Sequence, residues 1–150
     1  TTVFPEVRLK SFIELRGADG GPWSRVCALP AFWTGILYDE EILDQVSYMI
    51  KSWSYEQVKN FYKEVRINGF NSFTPDRENL KNFSKKIIDL SSIGLKKRNI
   101  ENSGKTEDSF LAPLIEIINS GESPAEKWKK LYLNQWSNNI DMLYTNNYFK

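Results

Sequence analysis

The strongest constraint lies between Val7 and Arg16, where side-chain character alternates with a period of two and then stops at a glycine-rich loop. Val7, Leu9, Ser11, Ile13 and Leu15 fall on one face; Arg8, Lys10, Phe12, Glu14 and Arg16 fall on the other. Successive side chains of a strand point to opposite sides, so the pattern predicts one long strand with an apolar and a charged face. At about 3.3 Å per residue it would extend roughly 33 Å, a length that calls for pairing partners. Nothing later in the chain supplies a second convincing strand. The segment Gly17-Ala18-Asp19-Gly20-Gly21-Pro22 ends the alternation, and beyond it the periodicity is helical.

Ala28 to Tyr38 is apolar almost all round and predicts a buried helix, with Pro30 in its first turn, where the missing N–H costs nothing. Asp39 is placed to cap a helix with the stripe Ile42, Val46, Met49, Ile50 and Trp53. Ser54 with Gln57 forms a capping box ahead of Val58, Phe61, Tyr62 and Val65. Thr74-Pro75-Asp76 predicts the start of a helix carrying Leu80, Phe83, Ile87, Leu90 and Leu95 inward. Residues 98–106 read as a polar, mobile connector, followed by a helix over 108–119 that buries Phe110, Leu111, Leu114, Ile115 and Ile118. Ser123-Pro124-Ala125-Glu126 is a second capping box, launching Trp128, Leu131, Tyr132, Gln135 and Trp136. The predicted fold is α+β and predominantly helical: one long N-terminal strand and five or six amphipathic helices. With 150 residues it forms a single domain, 1–22 being strand and glycine loop and 23–150 helical.

Composition narrows the chemistry. The chain has no histidine and one cysteine, which excludes Ser-His-Asp and Cys-His triads, HExxH metalloproteases and every Cys/His zinc cluster. Carboxylates, guanidinium, ammonium, hydroxyls and backbone remain. Cys27, in the run Val26-Cys27-Ala28-Leu29, reads as a small buried hydrophobe. A single cysteine forms no intrachain disulfide, no stretch nears the ~18 apolar residues of a membrane span, and no signal-peptide pattern opens the chain. A soluble, cytoplasmic protein is therefore expected. Twenty basic against 19 acidic residues leave a net charge of +1, so neither nucleic acid nor a membrane is an expected partner.

The charged face of the strand is where function is sought. Glu14 and Arg16 lie one pleat apart, with Lys10 and Arg8 further along and the glycine loop directly after. Such a row suits an anionic, oxygen-rich ligand beside a divalent cation: a carboxylate for the metal, cations for phosphate or carboxylate oxygens. The loop offers backbone N–H donors but is neither a Walker loop nor GxGxxG. Two structural readings stay open beside this one. Arg8 and Lys10 serve equally as fold-internal ion-pair partners. The whole chain also fits a non-enzymatic helical assembly domain whose strand adds to a partner's sheet edge or to a second copy.

The segments Thr2-Val3-Phe4-Pro5-Glu6-Val7-Arg8-Leu9-Lys10, Glu14-Leu15-Arg16-Gly17-Ala18-Asp19-Gly20-Gly21-Pro22-Trp23 and Cys27-Ala28-Leu29-Pro30-Ala31-Phe32-Trp33 closely resemble the plant and proteobacterial type of glutamate-cysteine ligase. The resemblance continues through Gly35-Ile36-Leu37-Tyr38-Asp39 and reappears at Ser123-Pro124-Ala125-Glu126-Lys127, while the middle matches in helical pattern more than in identity. It aligns with the C-terminal part of a longer family, so Thr1 at the start reads as the mark of a missing N-terminal portion.

The resemblance implies a glutamine synthetase-like fold and an ATP- and Mg²⁺-dependent ligase joining glutamate to cysteine, the first step of glutathione synthesis. It implies Glu14 as the metal ligand, Arg16 as the catalytic residue facing the transferring phosphoryl group or the glutamyl carboxylate, and Asp19 as an organiser of the loop. Arg8, Lys10, Trp23 and Arg25 join Asp19 as candidate substrate- and ATP-binding residues. The isolated chain is expected to be inactive.

Overall fold

The alternating segment does not run straight. In the computed structural model, which describes residues 6–102 and 104–145, it folds back on itself as a hairpin of β1 (Val7–Leu9) and β2 (Ile13–Leu15). The strands are antiparallel, with Val7 opposite Leu15, Arg8 opposite Glu14 and Leu9 opposite Ile13. A single strand would leave its whole backbone ladder unpaired, whereas turning at residues 10–12 lets the segment satisfy part of it internally. The Lys10 N–H donates to the Phe12 carbonyl at 2.9 Å and closes the turn. The long unpaired strand on which self-association was premised is therefore absent among the described residues. Residues 2–5, the first part of the resemblance, lie outside them.

Helix α1 (Trp23–Leu37) begins five residues before the expected start at Ala28, so Pro30 sits in its interior. Pro22 is the helix's N-cap, and its carbonyl accepts from the N–H groups of Arg25 and Val26 at 2.9 and 3.1 Å. Asp39 caps α2 (Glu40–Ile50) by accepting from the Ile42 N–H, and both sides of the Ser54–Gln57 capping box are formed at α3 (Tyr55–Asn68). Thr74 does not start a helix. It is buried, its N–H donates to the Glu78 carbonyl at 2.8 Å, its hydroxyl accepts from the Glu78 N–H at 3.1 Å, and it closes a loop in which Arg77 adopts φ 65°. Helix α4 (Leu80–Arg98) starts after this loop, capped by Asn79.

Residues 98–106, expected as a connector, include the paired strands β3 (Glu101–Asn102) and β4 (Lys105–Thr106). The helix expected over 108–119 divides into a 3₁₀ turn (Glu107–Leu111) and α5 (Ala112–Ser120), because Pro113 has no N–H to continue a helical ladder from the preceding turn. Gly121, at φ 69°, ends α5 by donating to the carbonyls of Ile117 and Ile118. The Ser123–Glu126 capping box opens α6 (Pro124–Asn134) as predicted, and α7 (Met142–Thr145) follows. None of the described helices is long and apolar enough to cross a membrane.

The core is organised by the crossing of α1 on α4. Gly35 and Gly94 face each other so closely that a Cβ on either would run into backbone: Gly94's into the Gly35 carbonyl, Gly35's into that of Ser91. The Ser91 hydroxyl donates to the Phe32 carbonyl at 2.8 Å at the same crossing. Around it Ile88, Leu95, Leu111 and Ile118 form the buried cluster. The prediction of a helix buried on all sides fails for α1, since only Ala28, Gly35 and Ile36 are buried. Helix α4 covers one side of it, while Leu29, Phe32 and Trp33 line an open groove.

Replacing Gly94 by alanine should therefore destabilise the fold by about 1–3 kcal/mol, as over-packing of a tight contact does. Gly20→Ala, with nothing within 4 Å of the added methyl, should stay within about 0.5 kcal/mol of the parent. Thermal denaturation of the two variants checks this, and equal losses would remove the crossing from its central role.

Candidate functional site

In the hairpin, paired residues have positions of equal parity, so the two faces expected of a straight strand survive the turn. The charged face becomes a short ladder. Arg8 stands directly across from Glu14, and the Arg8 Nε–H donates to Glu14 Oε2 at 2.6 Å. Beyond the turn-proximal pair, Lys10 lies 5.7 Å from the Phe12 ring centroid. At the open end the Arg16 N–H donates to the Glu6 carbonyl at 2.7 Å.

The Glu14 carboxyl is held below its ordinary pKa, first by the Arg8 hydrogen bond, which desolvation opposes, and further by the positive charges of Arg8, Lys10 and Arg16. An ionised carboxylate in a row of cations is what results. One of its oxygens is taken by Arg8.

The structure brings Arg8, Lys10, Glu14 and Arg16 together on this face. It does not bring the other candidates there. Asp19 is exposed on the loop after β2, and Trp23, at the first turn of α1, is 75% exposed. Arg25 is half-buried and lines a separate cavity of about 340 Å³ between the start of α1, α5 and the start of α6, its guanidinium 5.9 Å from the Trp128 ring. Glu116, Lys127 and Trp128 line the same cavity and were not singled out by sequence reasoning, which placed Trp128 on a core stripe. The signal nearest to them is the family-like run Ser123 to Lys127.

The opposite, apolar face of the hairpin has a different role. Val7 and Leu15 roof a groove of about 620 Å³ whose floor includes Phe32, Trp33, Phe83 and Ile117. Leu9 and Ile13 extend past the helices and are exposed.

No group of three or more acidic, histidine or cysteine side chains is arranged to hold a metal among the described residues. The chain fits Mg²⁺ only as a contributor of one ligand, the Glu14 carboxylate. That is compatible with an ion that takes one or two carboxylates and completes its shell with water and phosphate oxygens.

Comparison with known proteins places the chain in a family. Residues 1–146 match the profile of Glutamate-cysteine ligase family 2 (GCS2), and the chain belongs to that family. Glutamate–cysteine ligase, chloroplastic, of Medicago truncatula is 42% identical over 145 residues, covering 96% of this chain and 27% of the relative. Glutamate–cysteine ligase A, chloroplastic, of Oryza sativa subsp. indica is 43% identical, covering 96% of this chain and 28% of the relative. The chloroplastic enzyme of Nicotiana tabacum is 43% identical with 96% and 26% covered. The chain thus spans about a quarter of the length of these relatives. All three relatives are named chloroplastic, which overturns the cytoplasmic expectation. A cysteine count and the absence of a long apolar run carry no organelle address, which is why that inference failed.

Removing the guanidinium with Arg8→Met should raise the Glu14 carboxyl midpoint toward its ordinary value, read by carboxyl ¹³C NMR against pH. In the parent, Glu14's folded pKa is depressed, so its stabilisation of the hairpin is complete above the unfolded-state pKa and is lost as pH falls through the folded one. An unchanged midpoint in the variant would assign the depression to Lys10 and Arg16 instead.

Proposed function

We propose that this chain is the C-terminal part of an ATP-dependent carboxylate–amine ligase that makes γ-glutamylcysteine from glutamate and cysteine, the first step of glutathione synthesis, and that its hairpin carries one side of the active site. The observation that carries this reading is Glu14, ionised and fixed at 2.6 Å by Arg8 on a face shared with Lys10 and Arg16, in a chain matched to the ligase family almost end to end.

The chemistry asks for charge placement more than for acid–base groups. The γ-carboxylate oxygen of glutamate attacks the terminal phosphorus of ATP, ADP leaves, and an acyl phosphate results. The cysteine nitrogen then attacks the acyl carbon, phosphate departs with the C–O electron pair, and the amine proton is lost to solvent or phosphate. Mg²⁺, when bound, neutralises phosphate oxygens and aligns them. Glu14 is assigned as one of its ligands. Arg16 is assigned to the transferring phosphoryl group, where a guanidinium stabilises spreading negative charge. Lys10 adds positive potential on the same face, and Asp19 is assigned to ordering the loop after β2. Arg8 is assigned to holding the Glu14 carboxylate through its Nε–H.

Two features support a larger assembly around these residues. A lone two-stranded hairpin is marginal in water, and both outer edges of this one lack a paired strand among the described residues. Joining it to the sheet of a glutamine synthetase-like fold would pair those edges. The exposed apolar side of α1 and the hairpin's protruding Leu9 and Ile13 likewise call for cover by the remaining ligase polypeptide.

The chain alone should show no ATP-dependent ligase turnover, and co-expression with the remaining part of the ligase should restore it. In the complete enzyme, Glu14→Gln should lower Mg²⁺-dependent turnover at least a thousandfold, corresponding to about 4 kcal/mol, with an unchanged circular dichroism spectrum. Near-normal turnover would take Glu14 out of the metal role. Full activity of the isolated chain would overturn its reading as one part of the site.

A further inference from the structure

The cavity of about 340 Å³ that Arg25 lines is set apart from the hairpin's charged face. Its size is that of a small-molecule site, for which about 300–1,000 Å³ is usual. Ile117, Pro113 and Trp128 give it an apolar wall, and Arg25, Lys127 and Glu116 give it charge. Arg25 is seated with care: its guanidinium lies against Gly21, where an added Cβ would come within 2.9 Å of it, and over the Trp128 ring. The glycine after the hairpin loop makes room for that arginine.

The charges in this cavity are unusual in being unspent. Glu122, also at its edge, is neutralised by Lys130 at 2.7 Å. Arg25, Lys127 and Glu116 take part in no ion pair among the described residues, so each cation lies more than 4 Å from the Glu116 carboxylate while sharing one cavity with it. The adjoining first turn of α1 has no side-chain cap and no acidic residue, so no carboxylate of its own offsets the positive end of the helix beside Arg25.

A simple anion would answer the cations and meet Glu116 as a like charge; a simple cation would do the reverse. A zwitterion answers both. We propose that this cavity binds an α-amino acid with an apolar side chain, its carboxylate on Arg25 and Lys127, its ammonium on Glu116 and its side chain against Trp128 and Ile117. The inference does not depend on the ligase reading of the hairpin.

The test is an NMR titration of the whole chain, following the indole N–H of Trp128, assigned by its loss in Trp128→Phe. Three probes share the isobutyl side chain: L-leucine, 4-methylpentanoate, which lacks the ammonium, and 3-methylbutylamine, which lacks the carboxylate. L-Leucine is expected to give a saturable shift with a Kd of the order of millimolar, and the other two to bind at least about tenfold more weakly. Arg25→Met and Glu116→Gln should each weaken L-leucine about tenfold or more, and Glu116→Gln should bring 4-methylpentanoate level with it. Glu14→Gln should leave the titration unchanged, so that this proposal and the metal role of Glu14 fail separately. Equal binding of 4-methylpentanoate and L-leucine by the parent would make this a plain anion site and overturn the proposal. So would a leucine shift indifferent to both substitutions in variants that keep the parent's circular dichroism, or no saturable shift at all.

Discussion

Everything else in this molecule is hung on the backbone contact between α1 and α4. Helices usually pack with their axes about 8–10 Å apart, held off by side chains; at Gly35 and Gly94 there are none to hold them off. Ser91 fills the remaining space and spends its hydroxyl on the Phe32 carbonyl, so the crossing is fixed in register as well as in distance. Once α1 is held there, its two ends and its open side have assigned places. Its start faces α5 and α6 and opens the Arg25 cavity, and its uncovered side becomes the floor of the groove beneath the hairpin. A helix that is apolar all round is thereby used twice, once for the core and once for a surface.

The hairpin shows how a sequence pattern can be read correctly in its faces and wrongly in its path. A turn centred on a residue pairs positions of equal parity, so period-two alternation passes through it without a break. No glycine or Asn-Gly dipeptide marks the reversal at residues 10–12, and none of those residues has positive φ. The usual hairpin signal is absent, and only the unmet hydrogen bonds of a lone strand argue for folding back. What the turn adds chemically is the direct opposition of Arg8 and Glu14, which lie six residues apart in sequence and would sit far apart on a straight strand. The Arg8 hydrogen bond is the main cause of the depressed Glu14 pKa, ahead of the nearer-in-sequence Arg16.

Helix starts were legible where a side chain caps its own turn. Asp39, Ser54 and Ser123 all do so, and each needs only residues within three positions. Thr74 has the same local signature, yet its hydroxyl and N–H are committed to Glu78, and the neighbouring Asp76 accepts from Trp53 at 2.5 Å, a partner on another segment. The Trp53–Asp76 bond spans 23 residues and leaves no local trace. The same holds for Pro30, tolerated inside α1, and for the Arg25 cavity, whose walls come from three helices and whose charged residues look in sequence like ordinary solvated positions.

The two faces of the hairpin also explain one another. The charged face holds a single carboxylate surrounded by cations, an arrangement that attracts oxyanions but does not by itself complete a metal shell. The apolar face covers a groove whose outer residues remain in water. Aliphatic side chains such as Leu9 and Ile13 cost free energy when left exposed, at about 25 cal/mol for each Å² that burial would remove from water. Burying them against further polypeptide would fix the angle of the hairpin, and with it the direction in which Glu14 and Arg16 point. Apolar cover on one face thus becomes the condition for charge placement on the other, which ties the site's chemistry to the packing of the larger protein rather than to these strands alone.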